Sequence, residues 1–252
     1  MKMDLIQIYE LALAGLKVRY RKTYVGVIWV VMNPVILLLA QGFVFSKILH
    51  IQLSQYFLYL VSGLLPWIFI SQTLEMGTAQ VKAQGTTIKS FLLKPYQMVA
   101  ALALENIVNF FASQVLILTP ILLLNNKSLM VVILWLLNTI PLFLGAFSFA
   151  FIFGTLNILF RDLKYILSFL LSIFYFITPI FYRSELIPIQ YRWLLVFNPF
   201  HILLSPFQVV SDEVNYFRWL ESFTWACLVS ILLLFLSIII WKKVKNLFYI
   251  NL

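Results

Sequence analysis

The chain has 252 residues, of which 63% are hydrophobic, 17% are aromatic and only 11% are charged. A water-soluble domain of this size could not cover its surface with so few polar residues, so the composition indicates a polytopic membrane protein. The net charge of +9 does not indicate nucleic-acid binding, because the cations lie at the ends of apolar runs, as in positive-inside topology. The single cysteine, Cys227, excludes an internal disulfide.

Residues 1–24 are predicted to form an amphipathic helix at the membrane surface. They are too charged to span a bilayer, yet too apolar for a free tail. Polar side chains recur at steps of three, four or seven, so a helix separates them from the apolar ones. The polar set is Asp4, Gln7, Glu10, Lys17 and Arg21, and the apolar set is Leu5, Ile8, Tyr9, Leu13 and Leu16. No signal-peptide cleavage pattern follows, so we expect no processing.

A cluster of cations then leads directly into the first long apolar run. Lys17, Arg19, Arg21 and Lys22 precede an apolar stretch at 25–39. Because cytoplasmic segments are enriched in Lys and Arg, the cluster is expected to stay in the cytoplasm while the apolar run enters the membrane. The N-terminus is therefore predicted to be cytoplasmic.

Apolar runs with few charges predict six membrane spans. Each must supply roughly 20 residues to cross roughly 30 Å of hydrocarbon. Helices are expected, because a helix satisfies its own backbone hydrogen bonds in lipid. The predicted spans lie near 25–46, 56–74, 99–124, 129–159, 165–182 and 222–241. The fold class is therefore an all-α membrane protein.

One further apolar run, 193–211, is interpreted as a re-entrant helical hairpin between spans five and six. Pro199 and Pro206 interrupt it, and Asn198 and His201 are polar. A seventh span would place the tail lysines outside, whereas a re-entrant hairpin keeps them in the cytoplasm with the N-terminus. Broken backbone is tolerated at membrane depth where protein buries it.

These expectations define the organisation of the chain. An interfacial helix at 1–24 precedes a transmembrane domain at 25–252, which contains a cytoplasmic loop at 77–98 and an extracytoplasmic re-entrant region at 183–221. Both termini are then cytoplasmic, and thirteen of the eighteen Lys and Arg residues lie on the cytoplasmic side.

Motifs for catalysis are missing from the sequence. No G-x-x-x-x-G-K occurs, so the chain has no P-loop of its own. His50 and His201 lie far apart without Glu or Cys at ligand spacing, so no metal site is predicted. We therefore expect no catalytic residue and no cofactor in this chain.

The third span carries a polar face. Glu105, Asn109 and Ser113 recur at steps of four, with Asn106 and Gln114 beside them. An acid inside a membrane is a candidate functional group. The alternative is that Glu105 lies near the cytoplasmic surface, where it pairs with a lysine or hydrogen-bonds a neighbouring helix.

The order of several short motifs resembles the membrane subunit of ABC-2 type polysaccharide exporters, the family that serves O-antigen, capsule and teichoic acid export. The resemblance covers essentially the whole chain. The motifs are Arg19-Tyr20-Arg21 followed by Gly26, Trp29 and Asn33-Pro34; Lys94-Pro95; Phe160-Arg161-Asp162-Leu163; Thr178-Pro179-Ile180-Phe181-Tyr182; and Asn198-Pro199. The family's commoner Phe-Pro pair in the cytoplasmic loop is replaced by Lys94-Pro95-Tyr96.

The resemblance implies a half-transporter. Two copies would form one channel for a lipid-linked polysaccharide, with O-antigen favoured, in the cytoplasmic (inner) membrane. Two copies of a separate ATP-binding cassette ATPase would supply ATP and Mg. The alternative is a secondary transporter or channel for another hydrophobic or lipid-linked substrate, working without an ATPase. That class typically shows inverted repeats, and no clear internal repeat is present.

Three groups of site residues are predicted. Arg19, Arg21 and Lys22 are candidates to bind the diphosphate of a lipid carrier, with anchoring to anionic lipid as the alternative. Tyr59, Tyr175 and Tyr182 are candidates to line the channel, although most aromatic residues of membrane proteins face lipid or the interface. The loop at 77–98 is expected to dock on the ATPase, or else to rest on the membrane as an amphipathic connector. Its coupling candidates are Lys89, Phe91, Leu92, Lys94 and Pro95.

Overall fold

The computed structural model describes residues 2–21, 26–49, 53–85, 93–124, 129–212 and 215–251. These residues are almost entirely helical and contain no β-strand. The helices are α1 Lys2–Tyr20, α2 Gly26–Leu49, α3 Leu53–Ala83, α4 Pro95–Ser113, α5 Thr119–Leu124, α6 Leu129–Leu159, α7 Leu163–Ile177, α8 Trp193–Val196, α9 Pro199–Asp212 and α10 Tyr216–Asn251. A π-helical turn, Gln114–Leu118, joins α4 to α5, and 3₁₀ turns at Ser184–Leu186 and Ile189–Tyr191 precede α8.

Four helices in the described ranges are long and apolar enough to cross a membrane. They are Tyr56–Ala83, Pro95–Leu123, Leu129–Leu159 and Tyr216–Phe248. A fifth crossing results if Ile189–Val196 and Pro199–Ser211, which are bent by 99°, count as one span. The other two predicted spans coincide with shorter apolar helices, Met32–Phe45 and Leu163–Ile177. The prediction of an all-α, multi-pass membrane protein is confirmed.

Helix α3 lies at the centre of the bundle. In its most apolar stretch 78% of the residues are buried, compared with 22% in α10. Leu60, Val61, Leu64 and Leu65 are almost completely inaccessible, so neighbouring helices must cover this apolar stretch. It packs against α6, α4, α9 and α2. Helix α3 also continues to Ala83, so the first seven residues of the predicted loop at 77–98 are helical.

Small residues let α3 and α6 approach closely. A Cβ added to Gly154 of α6 would lie 3.0 Å from the carbonyl oxygen of Gly77 in α3. A Cβ added to Gly77 would lie 2.9 Å from the Ala150 side chain. Membrane helices associate through such small-residue contacts, because lipid provides no hydrophobic force between them. This crossing fixes α6 beside the central helix.

The π-helical turn precedes a proline. Pro120 has no backbone N–H, and its ring would collide with the carbonyl four residues earlier in a regular α-helix. The wider turn at Gln114–Leu118 relieves this conflict, and the helix then continues to Leu124. The third predicted span is therefore a single helical path with one local widening.

After α7 the backbone becomes irregular and is fixed by side chains. We call residues 178–182 the 178–182 segment. Its backbone cannot satisfy itself as a helix does, so donors from α3 and α9 bind its carbonyls, while Asn198 of the α8–α9 junction binds the side chain of Thr178. The bonds run from Tyr56 Oη to Phe181 O (2.7 Å), Tyr59 Oη to Tyr182 O (2.7 Å), Gln208 Nε2 to Pro179 O (2.6 Å) and Asn198 Nδ2 to Thr178 Oγ1 (2.8 Å).

Candidate functional site

The side chain of Arg19 joins the end of α1 to the middle of α4. Its Nη2 lies 3.0 Å from Glu105 Oε2, and its Nη1 donates to Asn106 Oδ1 at 3.1 Å. The Glu105 side chain is only 6% exposed, whereas that of Arg19 is 25% exposed. An unpaired carboxylate at such a buried position would be costly, so the guanidinium compensates it. The structure thus brings together two residues that the sequence placed in separate candidate sites.

Further hydrogen bonds extend this contact to α3. Asn106 Nδ2 donates to Thr73 Oγ1 of α3 at 3.1 Å, and Tyr20 Oη donates to Asn109 Oδ1 at 2.5 Å. The polar face predicted on the third span therefore meets the end of α1 and one side of α3. We call Arg19, Tyr20, Glu105, Asn106 and Asn109 the α1–α4 cluster.

A glycine leaves room for the ion pair. A Cβ added to Gly15 would overlap the Glu105 carboxylate. Gly15 lies one helical turn before Arg19, so both face α4. The missing side chain leaves the space that the carboxylate occupies. Sequence reasoning did not identify this glycine, because only the packing of α1 on α4 gives it a role.

A cavity of about 570 Å³ with a mixed polar and apolar lining lies on one side of Arg19. It is enclosed by the end of α1 and by α2, α3 and α4, with apolar walls that include Leu65, Ile68 and Phe110. Its polar lining, apart from Arg19 and Tyr20, comprises Asn33, Gln72, Glu75, Asn106, Asn109 and Ser113. A cavity with both kinds of wall can hold a ligand with a polar head and an apolar body.

A second, mainly apolar cavity, also about 570 Å³, lies on the other side of Arg19, and its further polar lining is Gln80, Gln84 and Glu105. It runs between α1, the end of α3 and the start of α4. Its apolar lining includes Leu11, Val18, Ala79, Ala83, Met98 and Leu102. Arg19 and Met76 line both cavities, so the guanidinium stands at their common boundary.

A second ion pair fixes the start of α1. Asp4 Oδ1 accepts hydrogen bonds from Lys94 Nζ at 2.8 Å and from Tyr96 Oη and Gln97 Nε2 at 3.2 Å. The Lys94 ammonium holds the pKa of the Asp4 carboxyl well below its usual range. Asp4 in turn raises the pKa of Lys94. The sequence grouped Asp4 with the polar side of the interfacial helix but did not identify this partner on α4, 90 residues away.

The coupling candidates fall in two groups. Lys94 pairs with Asp4, and Pro95 is buried in the first turn of α4. The N-terminus of α4 is stabilised by Gln97 Oε1, which accepts the Lys94 N–H at 2.8 Å. Lys89, Phe91 and Leu92 lie outside the described residues, as does Lys22 of the cation cluster. Arg21 is exposed in the turn that follows α1.

The three candidate tyrosines lie at the other end of the bundle. Tyr59 is about 25 Å along α3 from Met76, which contacts Arg19, at 1.5 Å per residue. Tyr59 and Tyr182 donate their hydroxyls to backbone carbonyls near the 178–182 segment. Tyr175 accepts a hydrogen bond from the Gln41 amide and packs against Trp67, with ring centroids 5.8 Å apart. The structure therefore gathers the tyrosines but separates them from the cations.

These features define a class: a multi-pass helical membrane protein with a charged cluster inside its bundle and cavities beside that cluster. The sequence profile of the ABC-2 type transporter family matches residues 6–211. The chain therefore belongs to the ABC-2 type transporter family, and the resemblance inferred from its motifs is confirmed.

Individual relatives carry export or transport names. An O-antigen export system permease protein RfbA of Klebsiella pneumoniae is 24% identical over 256 residues, covering 97% of this chain and 96% of the relative. RfbA of Myxococcus xanthus is 24% identical over 200 residues, covering 79% and 77%. The polysialic acid transport protein KpsM of Escherichia coli is 23% identical over 201 residues, covering 77% and 76%.

Proposed function

We propose that this chain is the permease subunit of an ATP-driven exporter that moves a lipid-linked polysaccharide, with O-antigen favoured, across the cytoplasmic membrane. The observation that carries this proposal is the α1–α4 cluster, which sets a guanidinium between two cavities, one of mixed lining and one mainly apolar, in a chain of the ABC-2 family. The names of the relatives, which concern O-antigen and polysialic acid, support the substrate class.

The lipid carrier would bind where the two cavities meet. Arg19 has five N–H donors, and the guanidinium geometry matches phosphate oxygens. Its Nη atoms already contact Glu105 and Asn106, so a diphosphate would share or replace these partners. Arg21 is exposed immediately after α1, and it would add positive charge together with Lys22. The apolar cavity would receive part of the hydrocarbon chain.

The proposed topology has six spans. Helix α2 has 24 residues and is about 36 Å long, enough to cross hydrocarbon. The shorter α7 is followed by the 178–182 segment, which would complete its crossing. The 99° bend between α8 and α9 supports a re-entrant hairpin. Both termini are then cytoplasmic.

Helix α1 would lie at the cytoplasmic surface of the membrane. Its polar residues Asp4 and Gln7 hydrogen-bond α4, while Leu5, Tyr9 and Leu13 are exposed. The exposed face, which also carries Glu10 and Lys17, suits the headgroup region of a membrane, where apolar and charged side chains both find partners. The contacts with α4 would hold α1 in this place.

Partners would cover the remaining apolar faces and supply energy. Ile36, Leu39 and Phe43 of α2 and Ile166 and Phe169 of α7 are exposed, as expected where a second copy or lipid contacts them. Two copies would form the channel, and the loop at 77–98 would transmit motion from two ATP-binding cassette subunits. ATP and Mg would be bound by those subunits.

A reconstituted system tests the proposal. The chain would be placed in liposomes with an ATP-binding cassette ATPase subunit, and transfer of a labelled lipid-linked oligosaccharide across the membrane would be measured. We expect ATP-dependent transfer. The Arg19→Lys/Arg21→Lys variant, which keeps charge but loses the planar fork, should reduce transfer about tenfold, equivalent to one strong hydrogen bond.

The controls separate phosphate recognition from other effects. Arg192→Lys makes the same change at an exposed residue of the re-entrant region and should leave transfer unchanged. A thermal unfolding curve shows whether the α1–α4 cluster survives in the double variant. If the folded double variant and wild type transferred the substrate equally well, the cations would serve only to anchor the chain to anionic lipid. Transfer without the ATPase would favour a secondary transporter.

A further inference from the structure

A third cavity, of about 380 Å³, lies at the end of the bundle away from Arg19. We call it the α9 cavity. Four parts of the chain enclose it: the start of α3, the turn after the 178–182 segment, α9 and the start of α10. Its size falls in the range of small-molecule sites, roughly 300–1,000 Å³. The cluster that contains Arg19 contributes nothing to its lining.

The lining is polar although the helix that forms its wall is mostly apolar. His201, Ser205 and Gln208 lie at steps of four and three on α9, so they share one face, and that face lines the cavity. The other faces of α9 are buried in the bundle through Phe200, Leu203, Leu204, Phe207 and Val210. Membrane-embedded proteins rarely bury a polar helix face unless it serves a polar ligand or a water-filled space.

The frame of the α9 cavity is rigid. Gln208 is held by the carbonyl of Pro179, and Tyr59 by the carbonyl of Tyr182. Asn198 and Asn215 cap α9 and α10, since their side-chain oxygens accept backbone N–H groups of the following turns. A preformed site loses little conformational entropy when a ligand binds.

One buried group has unused hydrogen-bonding capacity. His201 Nδ1 is buried and has no hydrogen-bond partner within the described residues. Ser205 donates its hydroxyl to the carbonyl of Ile202, so its oxygen can still accept. Leaving a buried polar atom unpaired is costly, so a small turn of the imidazole that let Nδ1 meet a ligand would recover that cost.

The chemistry of the lining selects the kind of ligand. Glu185 supplies a carboxylate, Arg183 and Arg218 guanidiniums, and Ser184 and Ser205 hydroxyls. A small anion would pair with the guanidiniums but leave the hydroxyls and Glu185 without partners, and an apolar ligand would leave most of the lining unpaired. Sugar hydroxyls both donate and accept, so they match this mixture of groups.

We propose that the α9 cavity is a saccharide-binding site that holds one or two sugar residues. Binding itself goes beyond the proposed function, because it requires neither ATP nor a lipid carrier. That the saccharide is the exported chain rests on the proposed function and topology, in which this cavity opens on the extracytoplasmic side.

The test uses the full chain in lipid nanodiscs without an ATPase. The probe is lipid-free oligosaccharide released by mild acid from the surface polysaccharide of the source organism, and binding is followed by saturation-transfer NMR and titration. We expect saturable binding by wild type. Arg218→Ala and Ser205→Ala should each weaken it about fivefold, as expected for the loss of a hydrogen bond. Val209→Phe, which fills the cavity, should abolish it.

Matched variants make the result specific. Arg192→Ala removes an exposed guanidinium at the same end of the molecule but outside the lining, so binding should stay unchanged. Ser222→Ala removes a hydroxyl that, like Ser205, donates to the carbonyl three residues earlier, and it also lies outside the lining. If the control variants weakened saccharide binding as much as the lining variants do, the α9 cavity would not be the binding site.

Three other outcomes also overturn the proposal. The first is the absence of saccharide binding by folded wild-type protein. The second is saccharide binding that Val209→Phe leaves intact. The third is a bound probe that inorganic phosphate displaces but neutral oligosaccharides do not. Because no ATPase is present, each outcome leaves the proposed export function standing, and failed export would not affect this assay.

Discussion

The two ends of the bundle treat their polar groups differently. In the α1–α4 cluster the charges satisfy each other, since Arg19 pairs with Glu105 and bonds Asn106. In the α9 cavity the frame is bonded but His201 Nδ1 is left without a partner in the described part of the chain. A ligand at the first end would have to displace or share existing partners, whereas a ligand at the second would break no such ion pair. Binding at the first end would therefore disturb the contacts that hold α1 on α4.

The largest expected effect comes from breaking the ion pair on one side. Arg19→Ala would leave the Glu105 carboxylate buried without its partner and should lower the free energy of unfolding by about 2–3 kcal/mol. The loss is below that of a fully buried pair, because Arg19 keeps a quarter of its side-chain surface exposed. Thermal and denaturant unfolding in detergent would measure it.

Two controls complete this test: a double variant that removes both charges, and a substitution of a neighbouring exposed cation. Arg19→Leu/Glu105→Leu removes both charges and should recover most of the lost stability, since apolar replacements of buried pairs are often neutral. Arg21→Ala removes an exposed cation two residues away and should change stability little. If Arg19→Ala and Arg21→Ala were equally stable, the Arg19–Glu105 pair would not stabilise the fold, and the contrast between the two ends of the bundle would be wrong.

Two glycines provide a second comparison of the ends. A Cβ on Gly63 would lie 2.8 Å from the carbonyl oxygen and 3.0 Å from the Cα of Ile180, which are backbone atoms of the fixed 178–182 segment. A Cβ on Gly15 would meet only the end of the Glu105 side chain, which can rotate. Gly63→Ala should therefore cost about 2 kcal/mol and Gly15→Ala about 1 kcal/mol.

Unfolding midpoints of the two glycine variants measure this difference. Ala14→Val, beside Gly15 but exposed, is the control for a larger side chain on α1. Combining Gly15→Ala with Glu105→Ala should remove the steric cost, because the colliding carboxylate is gone. A Gly15→Ala cost larger than that of Gly63→Ala would show that α1 is held more rigidly than the 178–182 segment.

The smallest expected effect is a pH dependence at the start of α1. Lys94 lowers the pKa of Asp4 in the folded protein below its unfolded value of about 4. The contact therefore stabilises α1 above that pH and is lost as the pH falls toward the folded-state pKa. Fluorescence of a label on exposed Val18→Cys, in a Cys227→Ser background, should report loosening of α1 below about pH 4.

Asp4→Asn tests the assignment of this pH effect. The amide cannot ionise, so the variant should show the loosened signal at neutral pH and little change on acidification. Glu10→Gln, an exposed acid on the same helix, should behave like wild type. If Asp4→Asn showed the same dependence of fluorescence on pH as wild type, another group would be responsible for the transition.

Much of the fold followed from the sequence. The apolar composition identified a multi-pass helical membrane protein, and the short motifs identified the ABC-2 family. The steps of four in Glu105 and Asn109 identified the polar face of the third span. These features are local, since hydropathy and helical periodicity depend on residues within a few turns.

The pairing of the polar groups was decided by tertiary structure. Arg19 and Glu105 stand 86 positions apart in the printed sequence, and only the packing of α1 on α4 makes one the partner of the other. Gly15 and Asp4 acquire their roles from the same contact. The α9 cavity likewise joins four separated pieces of chain. Periodicity shows which side chains share a face, but which face meets which depends on the shapes of whole helices, and no local pattern records that.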